Sequence, residues 1–242
     1  YGMLLPAIGF TLVFSYLPMA MNVIAFMDYK LTSGWLGLGS TWVGLAQFKR
    51  FLTDPVFYEV ALRTITYAAA KLAITFPAPI ILALLLNEVR NQAFKRTVQT
   101  IAYLPYFVSW VTVAGLIYMF LSISSTGIIN TAIVAFGGKK ILFMSRSQYF
   151  LPVMLFGTVW KGVGLGSIIY LATIASIEQQ LYEAARIDGA GRWKQLLHIT
   201  VPGIMPAVII LLILNAGSIF NADFDQMINL QNDVIRTDTD VI

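Results

Sequence analysis

The 242-residue chain contains no cysteine, a single histidine and only 12% charged residues, and each scarcity removes a class of function. Without cysteine there is neither a disulfide framework nor a thiolate metal site, although a missing thiol identifies no compartment. His198 stands alone, with no carboxylate pair near it, so it completes neither a zinc site nor a catalytic triad and is read as loop packing. No phosphate cradle of the pattern G-x-x-x-x-G-K-[ST] occurs, so the chain is not expected to bind or hydrolyse a nucleoside triphosphate. The acidic residues Asp223, Asp225, Asp233, Asp238 and Asp240 lack the spacing and the glycine of a calcium loop and read as solvated surface.

What is present is apolar. Hydrophobic residues make up 58% of the chain and the mean hydropathy is +0.75, whereas a soluble domain carries about 25% charged residues. Five apolar runs, at about 3–27, 62–86, 98–121, 150–177 and 201–222, are each long enough at ~1.5 Å per residue to cross a ~30 Å hydrocarbon core. None contains Asp or Glu. The alternation of a barrel is absent and exposed strands cannot satisfy their backbone in lipid, so the spans are expected to be helices. The predicted fold class is all-α: a polytopic membrane helical bundle forming one domain over 1–242. No tandem repeat or low-complexity tract interrupts it. A net charge of +4 suits basic loops and is no nucleic-acid signal. The chain opens on Tyr1 directly before a span and stops in a polar segment, so it is expected to be a fragment of a longer protein.

If the N-terminus is cytoplasmic, segments 87–99 and 178–200 are inside and hold six Lys or Arg in 36 residues, against seven in 82 for the outer segments. The twofold density follows the positive-inside rule. The outer stretch 127–136 is apolar but too short to cross. It fits either an interfacial helix or an ordinary loop helix.

The inner segment 178–200 is the most informative. A first short helix, roughly 178–188, puts Leu181, Ala184, Ala185 and Asp188 at i, i+3, i+4 and i+7, a stripe of mostly small side chains. Gly189-Ala190-Gly191 supplies a tight reversal, and Trp193, Leu196 and Leu197 begin a second amphipathic stripe that runs into Val201-Pro202. Helices this short need a surface to pack on.

Glu183-Ala184-Ala185, three residues, Gly189, nine residues, Ile199, one residue and Val201-Pro202 together resemble the EAA loop of ABC importer permeases, with Val201 for the usual Leu as the departure. Tyr182 before it and Ile187-Asp188-Gly189-Ala190 within it are similar to the carbohydrate branch. Leu104-Pro105-Tyr106-Phe107 and Phe224-Asp225-Gln226 resemble stretches of the oligosaccharide and polysaccharide subgroup. The resemblance implies a type I importer fold in the bacterial cytoplasmic membrane, with a sixth span expected beyond 242. It implies that Glu183, Ala184, Ala185, Asp188 and Gly189 couple the chain to a cytoplasmic ATPase. ATP and Mg would sit on two such ATPase subunits, this chain holding no cofactor or metal. A second permease, an extracytoplasmic substrate-binding protein and an oligosaccharide complete the expected partners, with membrane lipid around the spans.

Several residues within the spans are candidates for the substrate pathway. Lys161 lies near mid-span, where a charge costs at least ~2.5 kcal/mol, so it should face the bundle interior or find a partner on a neighbouring helix. Lys71 is a weaker case, and Arg63, at a span end, is expected to snorkel. Trp110 and Trp160 could stack on sugar rings, whereas Tyr103 and Tyr106 suit the interfacial belt. Asn215, Ser218 and Asn221 recur every three residues as one polar stripe, either bonding between helices or lining a wet path. A carrier driven by an ion gradient is the competing reading, with Lys161 and Lys71 as its coupling charges. The acid-free spans and the 178–200 loop argue against it.

Overall fold

The structure is a computed structural model and describes residues 2–30, 40–217, 224–239 and 241. Ser218, Asn221, Asp223 and Asp240 lie outside the described residues. The chain divides into two compact units, Tyr1–Ala61 and Leu62–Ile242.

In the first unit, helix α1 (Gly2–Phe26) is apolar throughout and long enough to cross a membrane. Its hydrogen bonding widens to a π turn over Leu12–Tyr16 and tightens to 3-10 turns at both ends. Two short strands follow, β1 (Met27–Asp28) and β2 (Thr41–Trp42), paired antiparallel with Met27 opposite Trp42. Phe26 stacks on Trp42 and packs on Phe48 of helix α2 (Ala46–Thr53). Asp54 ends α2 and accepts the Val56 N–H at 2.9 Å, starting the next helix on Pro55, where a missing N–H costs nothing.

Helix α3 runs over Pro55–Glu88, longer at both ends than the expected span, with a hydrogen-bonding break at Phe76. Pro77 and Pro79 remove two backbone donors there, which accounts for the break. Asn91 accepts the Phe94 N–H and caps helix α4 (Gln92–Tyr103). The expected straight span 98–121 is not found. After α4 the chain tightens into a 3-10 turn over Leu104–Phe107, extends at Val108–Ser109 and restarts as helix α5 (Trp110–Leu121), the two arms bent by 104°. Pro105 lacks the donor an α-helix needs, and Ser109 accepts the Thr112 N–H as a new N-cap.

Helix α6 (Ile128–Ala135) covers the short outer stretch and is fixed by fully buried Asn130. Its amide donates to the Leu121, Ser122 and Ile141 carbonyls at 2.9, 3.1 and 3.0 Å and accepts the Ile141 N–H at 2.7 Å. Helix α7 (Phe150–Ala175) is the central rod, followed by α8 (Gln179–Ile187) and α9 (Arg192–Gly217), the latter with a π turn at Leu196–Thr200. Short helices α10 (Phe224–Leu230) and α11 (Arg236–Thr239) close the described chain.

Two apolar clusters hold the second unit, both built on α7. One joins Phe150, Met154 and Leu155 to Ala114 of α5 and to Met227, Leu230 and Ile235. The other joins Tyr170 and Ile174 to Ala83 of α3 and Ile204 of α9. Lipid is as apolar as a core, so such contacts act through close packing and hydrogen bonds rather than through water release. Buried Gln226 is one such bond, donating to the Met154 carbonyl at 2.8 Å and accepting from the Thr158 hydroxyl at 3.0 Å. Meanwhile Leu62, Ile81, Leu85, Phe156, Ile213 and many others point outward, a liability in water but ordinary against lipid chains.

Candidate functional site

The segment 178–200 forms a helical hairpin in which α8 is stopped by a complete glycine C-cap. The Ala190 N–H donates to the Ala185 carbonyl at 2.8 Å and the Gly189 N–H to the Arg186 carbonyl at 3.1 Å, the two bonds of a Schellman turn. Gly189 takes φ +74°, a left-handed conformation, and open space surrounds the point where a Cβ would project. The glycine is therefore required by the backbone and not by a neighbour. After the turn the Gln195 amide donates to the Ala190 carbonyl at 2.7 Å, closing the reversal from the far side.

One face of α8 is inward and the other is bare. Tyr182 and Ala185 are half-buried, while Leu181, Glu183, Ala184, Asp188 and Gly189 are exposed. Ile187 is 87% exposed and Trp193 76%, an apolar pair on a hairpin otherwise rich in charge. Of the five coupling candidates, four are at the surface and Ala185 backs them.

Two contacts brace the hairpin to the bundle. The Tyr182 hydroxyl bonds the Thr200 hydroxyl at 2.9 Å, and Thr200 is only 1% exposed at the end of the π turn in α9. Arg192 lies 3.9 Å from Glu88 at the end of α3, but both side chains are about half exposed, so the pair contributes at most about 1 kcal/mol. Behind the hairpin lies an open polar cavity of about 860 Å³ with Arg90, Gln179, Tyr182, Arg186 and Gln195 on its walls. The sequence signals neither the brace nor the cavity, because Tyr182 and Thr200 are 18 residues apart and neither is unusual by itself.

The remaining candidates do not form one cluster. Lys161 donates to the Tyr106 and Val108 carbonyls, both at 2.6 Å, and its ammonium sits 5.3 Å and 5.7 Å from the centres of the Tyr106 and Trp110 rings. Trp160 instead lines an apolar groove of about 480 Å³ between α5 and α7, with Val113, Ile117, Val153 and Phe156. The Asn215 amide donates to the Leu211 carbonyl of its own helix at 2.7 Å. His198 bonds the Lys194 carbonyl one turn back. Among the described residues no group of three or more His, Asp or Glu could hold a metal ion.

Comparison with known proteins follows the same lines. The family described as "Binding-protein-dependent transport system inner membrane component" matches residues 75–222. The polygalacturonan/rhamnogalacturonan transport system permease protein YteP of Bacillus subtilis (strain 168) is 46% identical over 232 residues, which is 96% of this chain and 71% of that protein. A crystal structure of a bacterial ABC transporter involved in the import of the acidic polysaccharide alginate matches with a TM-score of 0.89 at 37% identity, over all of this chain and 80% of that one. A second, of the bacterial alginate ABC transporter in complex with alginate pentasaccharide-bound periplasmic protein, gives 0.88 at 36% identity over all of this chain and 79% of that one.

Proposed function

This chain belongs to the binding-protein-dependent transport system inner membrane component family, and we propose that it forms one half of the translocation path of an ATP-driven oligosaccharide importer. It is a transport subunit, a polytopic protein of the inner membrane. The observation that carries the reading is the bare face of α8, capped at Gly189 and tied to α9 through Tyr182 and Thr200. Such a face fits a cleft in a soluble partner, and the tie gives that partner purchase on a spanning helix.

In this reading the hairpin is cytoplasmic and Glu183, Ala184, Ala185, Asp188 and Gly189 seat it in an ATPase. Two ATPases close on ATP, α8 moves, and α9 follows. Rigid-body rocking against a second permease then alternates access to the path. Trp110, Trp160 and Asn215 are the proposed substrate contacts, with Ser218 and Asn221 continuing the Asn215 stripe in sequence. The relatives' names share one chemistry, a carboxylate-bearing polysaccharide, so an acidic oligosaccharide is the proposed cargo. A periplasmic binding protein that delivers it is supported by the complex of the alginate transporter with its own.

The test is a pull-down of the tagged full-length subunit from native membranes, with ATP hydrolysis assayed on what co-purifies. A second permease and a soluble ATPase are expected, with hydrolysis uncoupled by changing Glu183 and Gly189. A lone polytopic protein whose transport survives ATP depletion but not an uncoupler would refute the reading in favour of a gradient-driven carrier.

A further inference from the structure

One face of α7 holds the broken span. Gly157, Lys161 and Gly164 stand at i, i+4 and i+7 and so form a single stripe. At one end Gly164 admits the backbone of α4, since a Cβ there would lie 2.0 Å from the Ala102 carbonyl oxygen and 2.9 Å from the Tyr103 nitrogen. At the other end Gly157 faces α5, where a Cβ would meet the Trp110 ring at 3.5 Å and Ile117 at 3.4 Å. Between the two glycines the Lys161 ammonium reaches the Tyr106 and Val108 carbonyls, which flank the break itself. A chain that leaves helical geometry at membrane depth must have its carbonyls satisfied by protein. The rings of Tyr106 and Trp110, one from each side of the break, add favourable faces for the same cation.

We infer that Lys161 is a positioning residue. Its charge caps the break and holds α4 and α5 at their 104° angle, and it does not meet passing substrate or carry a coupling proton. This accounts for an intramembrane cation in a set of spans without any acid to pair it. The glycines on either side set how closely the two arms can approach, and the lysine sets the angle between them. The inference concerns geometry within the chain, so it can fail or stand independently of what the transporter carries.

The chain lacks cysteine, so Thr97→Cys in α4 and Met119→Cys in α5, both exposed, permit spin labels without removing native thiols from this subunit. At ~1.5 Å rise per residue the two Cα atoms are about 18 Å apart across the bend, and would be about 33 Å apart in a straight helix. In the assembled full-length complex in lipid, Lys161→Met is expected to broaden the label distance and lengthen it by about 5 Å or more. Lys161→Arg, whose planar fork can bridge two carbonyls, is expected to keep the wild-type distance. Maximal transport should fall about tenfold or more in Lys161→Met, with half-saturation unchanged within about twofold for acidic and neutral oligosaccharides alike. An unchanged distance with half-saturation raised about tenfold for acidic oligosaccharides alone would overturn the inference and assign the ammonium to the substrate. An unchanged distance with unchanged transport would overturn it too. Should Lys161→Met fail to assemble, the distance is read on Lys161→Gln, which retains one donor and for which a smaller lengthening is expected.

Discussion

Replacing Gly189 tests whether the geometry of the α8 turn, and not merely its presence, drives coupling. The residue sits at φ +74° with nothing within 4 Å of a built Cβ, so a substitution there changes backbone energy alone. An L-residue in the left-handed region costs about 1–2 kcal/mol, asparagine less, and a β-branched residue more. Helix α8 has nine residues and cannot hold its own orientation. What orients it is the turn, together with the Tyr182 to Thr200 bond at about 1 kcal/mol. A strain of about 1–2 kcal/mol therefore lowers the seated population by about 5–30-fold, since ~1.4 kcal/mol is a factor of ten. The expected order in substrate-stimulated ATP hydrolysis by the reconstituted complex is Gly, then Asn within about threefold, then Ala about 5–30-fold down, then Val lower still. Proline, fixed near φ −65° and lacking the N–H given to Arg186, should abolish coupling while leaving the protein in the membrane. If alanine matched glycine within twofold, the left-handed turn would not be what the partner reads.

Three further outcomes follow from contacts elsewhere. In a double-mutant cycle on the coupled rate, Tyr182→Phe and Thr200→Val should show an interaction of about 1 kcal/mol, because either alone strands a hydroxyl in a poorly hydrated place; strict additivity would mean the brace carries no force. Gly164→Ala should lower the thermal stability of the purified complex, its methyl colliding with the Ala102 carbonyl at a cost of about 1–3 kcal/mol or more, while Gly162→Ala two residues away meets nothing and should be neutral or mildly stabilising. Equal melting temperatures for the two would refute the close approach of α7 and α4. Asn130→Ala leaves the Leu121, Ser122 and Ile141 carbonyls without their shared donor, an expected loss of about 3 kcal/mol, seen as faster proteolysis of segment 122–149 from the outer side.

By itself the sequence determined what lipid and local backbone chemistry decide. Apolar length and the lack of intramembrane acids specify helices that cross. Gly189 behind Glu183-Ala184-Ala185 specifies where a short helix stops, because a left-handed C-cap is a local requirement written in one residue. The tertiary structure decided everything that depends on residues far apart in the chain. Hydropathy over 98–121 records that each residue tolerates lipid and is blind to direction, so a 104° break at Val108–Ser109 reads as one span. Lys161 read as a charge in search of a substrate, because its partners, two carbonyls 53 and 55 residues earlier, carry no side-chain signature at all. Tyr182 acquired a role only when the fold brought Thr200 against it. Backbone acceptors are the same at every position, and only the packing of α7 against the broken span decides which of them a buried cation will find.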